Sequence, residues 1–90
     1  MTLHTGYLDR LKHDGAPAAL FRVIDQLFEL PAVNVTELIQ RLGVSKPTAG
    51  SYIKRLEKLD ILREQTGRER DRDWIAPEIV RIIEIEAPHT

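Results

Sequence analysis

Cysteine is absent from this chain of 90 residues, which excludes a disulfide framework and any thiolate metal site. Long apolar runs are absent too. No stretch approaches the roughly 18 apolar residues that a membrane-spanning helix needs, and the opening MTLHTGYLDR lacks the apolar core of a secretion signal. We therefore expect a cytoplasmic protein without a membrane partner. Catalytic groupings are missing as well. His4, His13 and His89 lie near the ends, with no His-x-x-x-His pair and no carboxylate at helical ligand spacing, so no metal site is expected. Ser45 and Ser51 have no neighbouring histidine to act as base, and no glycine-rich phosphate loop occurs. The expectation is a non-enzyme with no cofactor.

A large charge of one sign is also lacking: the net charge is −1. Its distribution is uneven, however. Residues 41–72 hold nine Lys and Arg against five Asp and Glu, a net of +4, whereas residues 1–40 and 73–90 sum to −2 and −3. The cations are confined to the middle of the chain.

What is present is helical patterning. With 42% hydrophobic and 30% charged residues, the composition is that of one globular domain. Residues 1–16 mix Gly6, Gly15 and charges, and read as an N-terminal arm, loosely held or forming a short turn of helix. The domain proper is expected over residues 17–86. Leu20, Val23, Ile24, Leu27 and Phe28 recur at helical spacing between Pro17 and Pro31. A short helix follows, with Thr36 as its expected N-cap, Leu38, Ile39 and Leu42 on one face, and Gly43 as its stop. Ser45 then caps a longer helix, about 45–59, whose first turn tolerates Pro47. Ala49, Ile53, Leu56 and Leu59 would face inward, leaving Lys46, Thr48, Ser51, Lys54, Arg55 and Lys58 outside.

Beyond Asp60 two extended segments, LREQT and RDWIA, flank the charged turn GRERD. They read as a β-hairpin, a wing over about 62–76. PEIVRIIEIE closes the chain as an amphipathic helix expected to pack back on the core. The fold class is thus mainly α with a small β-hairpin: a winged helix-turn-helix with a three-helix core, a wing and a C-terminal helix.

Such a scaffold binds double-stranded DNA by laying the second helix of the pair in the major groove. The candidate DNA-binding residues are Ser45, Lys46, Thr48, Ser51, Lys54, Arg55, Arg68, Arg70 and Arg72. The last three lie at alternate positions and project to one side if extended. Glu57, Glu69 and Asp71 are interleaved with these cations, so a merely solvated charged surface is the competing reading. Tyr52 and Trp74 read as packing residues. Thr48 and Ser51 lack the bidentate geometry with which Arg reads guanine or Asn and Gln read adenine. Sequence discrimination should be modest.

From about Ala18 to Glu84 the chain resembles the winged-helix domain at the C-terminal end of Fic family proteins. The likeness rests on Val35, Leu38, Leu42, Gly43, Val44, Ser45, Thr48, Ala49, Ile53, Leu56, Glu57, Ile61, Leu62, Glu64, Thr66, Gly67, Arg70 and Arg72. Its helix-turn-helix half is shared with MarR-like regulators, while the TG..R.R wing is more specific. The pattern breaks at Asp60, where glycine is usual, and at Asp73-Trp74. Fic proteins transfer AMP from ATP to hydroxyl side chains through a His-Pro-Phe motif, and nothing in this sequence matches that motif. The resemblance therefore implies a regulatory or accessory module, with a catalytic Fic domain as a possible partner and a homodimer as another. A protein-protein interaction or dimerisation module, on the same scaffold without DNA binding, is the alternative.

Overall fold

Among the described residues, two prolines and three left-handed turn residues divide the chain into five helices and three very short strands. The computed structural model describes residues 2–65 and 72–86. Helix α1 (Leu3–Asp14) starts at Thr2, whose hydroxyl accepts from the Thr5 amide at 3.1 Å, and stops at Gly15 with φ +67°. This is the stretch expected as an arm, loosely held or forming a short turn of helix. Instead it makes about three helical turns, because Tyr7 and Leu11, one turn apart on one face, are wholly buried in the common core. Tertiary packing outweighs the cost of Gly6 inside the helix.

Helix α2 (Ala19–Glu29) buries Leu20, Val23, Ile24 and Leu27, the face read from the sequence. Each such side chain contributes about 1.5–3 kcal/mol by leaving water. Pro31 ends the helix and delivers strand β1 (Ala32–Val33), which has too few residues to show any periodicity.

Helix α3 (Val35–Leu42) is capped by Asn34, not by Thr36. The Asn34 side-chain oxygen accepts from the Glu37 amide at 2.8 Å, and its side-chain amide donates to the Glu37 carboxylate at 3.3 Å. The Asn-x-x-Glu spacing gives the helix start a reciprocal pair that Thr36, one residue inside the helix, has no means to match. Gly43, at φ +66°, supplies the left-handed residue of the turn. Helix α4 (Lys46–Lys58) follows, with Ala49, Ile53 and Leu56 buried. Asp60 takes φ +60° after it, so the position where the sequence pattern favours glycine keeps the left-handed conformation with an aspartate in it.

Strands β2 (Arg63–Glu64) and β3 (Trp74–Ile75) form the base of the expected hairpin; its tip, 66–71, lies outside the described residues. The unexpected β1 completes an antiparallel sheet of order β1-β3-β2, with Trp74 opposite both Val33 and Glu64. Trp74 is buried and Tyr52 packs partly buried against the core, so both serve packing.

Helix α5 (Pro77–Glu86) departs from its expected packing. Its first turn reaches the core through Ile79, yet Ile82, Ile83 and Ile85 are 36%, 43% and 71% exposed. The helix runs off the body and leaves an apolar face in water.

Candidate nucleic-acid interface

The outward face of α4 is set by its inward one. Because Ala49, Ile53 and Leu56 are fixed in the core, the 3.6-residue repeat turns Ser51, Lys54 and Lys58 away from it, and all three are exposed. Lys46, in the first turn, is exposed as well. None of the three lysines has an acidic partner among the described residues. Lys58 was absent from the candidate residues although it shares the line of Ser51 and Lys54; the i, i+3 and i+7 spacing is the signal that identifies it.

Ser45 and Thr48 are already joined to each other. The Thr48 amide donates to the Ser45 hydroxyl at 3.3 Å, and that hydroxyl donates to the Thr48 hydroxyl at 2.9 Å. This fixes the α4 N-terminus, whose amides and positive dipole end favour an anion.

The arginines divide. Arg55 sits on the flank of α4, half-buried, with its Nε 3.4 Å from the Asp14 carboxylate. Arg72 lies at the base of the wing, its Nε 3.6 Å from Glu64 on the neighbouring strand. Arg68 and Arg70 fall outside the described residues. The structure thus puts Ser51, Lys54 and Lys58 on one exposed line of α4, leaves Lys46 exposed in the first turn, and holds Arg55 half-buried against Asp14.

What this line offers to an anion is a set of ammonium groups, which act as point charges. It carries no Arg, Asn or Gln to grip a base edge in bidentate fashion. Among the described residues there is no group of three His, Cys, Asp or Glu that could hold a metal ion, and no helix long and apolar enough to cross a membrane. His4 Nε2 lies 2.6 Å from Asp25, and His13 Nδ1 lies 2.8 Å from the Asp9 carbonyl.

The MarR family model matches residues 17–69, which run from the residues before α2 through the helix-turn-helix pair into the wing. No curated protein and no solved structure matches the chain.

Proposed function

The chain belongs to the MarR family of winged-helix regulators, and we propose that it binds double-stranded DNA with α4 in the major groove and the wing against the neighbouring backbone. The observation that carries this is the exposed line of Ser51, Lys54 and Lys58, with Lys46 beside the capped α4 N-terminus and none of the three lysines ion-paired among the described residues. Arg68, Arg70 and Arg72 extend the contact along the wing. Binding rests mainly on phosphates, so it is salt-dependent and only weakly discriminating.

Fluorescence anisotropy of a labelled random duplex tests this at about 50 and 200 mM salt. Steep weakening with salt, and with Lys54→Ala plus Lys58→Ala, is expected. Absence of binding at the lower salt would reject it.

The exposed Ile82, Ile83 and Ile85 favour a second role for the same scaffold, protein contact. A homodimer that covers this face is the simplest form of it. If no DNA binds, this becomes the principal reading. The narrower likeness to Fic proteins, carried by Thr66, Gly67, Arg70 and Arg72, adds a proposed context as an accessory module beside an AMP-transferring domain. Sequencing the gene on both sides of this stretch tests it, since a catalytic Fic partner requires a His-Pro-Phe motif encoded nearby or elsewhere in the same operon.

A further inference from the structure

Arg10 and Asp14 stand one turn apart on α1, and Arg55 and Leu59 stand one turn apart at the end of α4. The two pairs meet rung by rung in opposite chain order. Arg10 Nη1 donates to the Leu59 carbonyl at 3.1 Å, and Asp14 lies 3.4 Å from Arg55. Arg10 also reaches the Glu78 carboxylate in the first turn of α5 at 3.8 Å and lies 5.3 Å from the centre of the Tyr7 ring.

Helix-end electrostatics explain why these residues are useful where they are. Asp14 is the last residue of α1, where an acid opposes the negative end of the helix dipole. Arg55 offsets that cost. Leu59 caps α4, where the last carbonyls lack intrahelical donors. Arg10 satisfies one of them. Each helix thus receives, from the other, the charge its own end calls for.

We infer that Arg55 is a positioning residue of a two-rung strap between α1 and the recognition helix, and not one of the DNA contacts. The strap fixes the angle at which α4 presents Ser51, Lys54 and Lys58. This rests on the DNA-binding reading for its consequence, but the strap itself is testable without DNA.

The experiment compares Asp14→Asn, Arg55→Gln and their combination in the full chain by anisotropy across a salt series, with Lys54→Ala as reference. For a strap, Asp14→Asn and Arg55→Gln weaken binding alike, the double variant is no worse than either, and the slope of log affinity against log salt stays as in the unaltered chain. Lys54→Ala, by contrast, lowers that slope by about one, as loss of a phosphate contact does. If Arg55→Gln also lowers the slope by about one while Asp14→Asn tightens binding, Arg55 touches phosphate and the inference is overturned.

Should the unaltered chain bind no duplex, the DNA reading fails and amide hydrogen exchange decides the strap alone. Arg55→Gln must then speed exchange at Gly15 and Ala16, whose amides close the end of α1, and Asp14→Asn must speed it at Leu59 and Asp60. Exchange unchanged at both ends would reject the strap.

Discussion

The two terminal helices, α1 and α5, are both short and amphipathic, yet they end up in opposite situations. Helix α1 carries few apolar residues among many polar ones, and its Tyr7 and Leu11 are completely buried. Helix α5 is rich in isoleucine, and three of its five isoleucines and valines, Ile82, Ile83 and Ile85, stay in water. Apolar content therefore does not determine burial. What decides it is whether a neighbouring surface exists: α1 lies against α2, α4 and the start of α5, whereas α5 outruns the body after its first turn. Helix α1 thus completes the core, whereas α5 keeps an apolar face exposed.

That contrast can be broken most forcefully at the core. Leu11→Ala should cost about 2–5 kcal/mol in urea unfolding, as other buried leucines do. Ile83→Ala should cost less than about 0.5 kcal/mol in dilute monomer. Equal losses would mean that α5 is as much a part of the fold as α1. Next in size is the effect of removing the α5 face altogether. If copies associate through it, the melting temperature rises with protein concentration, and serine at Ile82, Ile83 and Ile85 abolishes that dependence; a concentration-independent melting temperature in the unaltered chain would count against self-association.

A third prediction uses the point where the two helices meet. Burial, reinforced by the Glu78 carboxylate and partly opposed by Arg10, pushes the Tyr7 phenol from 10.0 up to about 12. The folded protein keeps the proton that the unfolded chain has lost, so stability contributed by neutral Tyr7 is complete below pH 10 and disappears as pH rises towards 12. In Tyr52→Phe, ultraviolet titration of the remaining tyrosine should give the high midpoint, and Tyr7→Phe should flatten the alkaline loss of stability. A midpoint at the ordinary phenol value would show that α1 is less firmly packed than its burial indicates.

The smallest effect is expected where the chain leaves α4 on its way to α5. Asp60 is the only described residue other than glycine with positive φ, so Asp60→Gly relieves strain while loosening the unfolded chain. The balance should be a gain of about 0.5 kcal/mol. A loss, measured by the same urea unfolding, would assign the Asp60 side chain a role of its own at this turn.

Local chemistry was legible in the sequence wherever one or two neighbouring residues decide the outcome. Gly43 ends α3, Ser45 caps α4, and Ala49, Ile53 and Leu56 face the core, all from short-range pattern. Strand β1 was not legible because a two-residue strand exists only through its pairing with β3. The α3 cap shifted to Asn34 because two polar residues two positions apart, Asn34 and Thr36, compete for one role and only the pair with Glu37 distinguishes them. In the candidate interface, Lys46, Ser51 and Lys54 follow from helical geometry alone. Arg55 did not, since its acidic neighbour comes from α1, far away in the chain.

The most direct test is an amide chemical-shift map of the isotope-labelled chain titrated with a short duplex at low salt. The account predicts that shifts concentrate at Lys46, Ser51, Lys54 and Lys58 and at the base of the wing, while Tyr7 to Lys12 of α1 stay in place. Shifts gathered on Ile82 to Ile85, or none at saturating duplex, would contradict it.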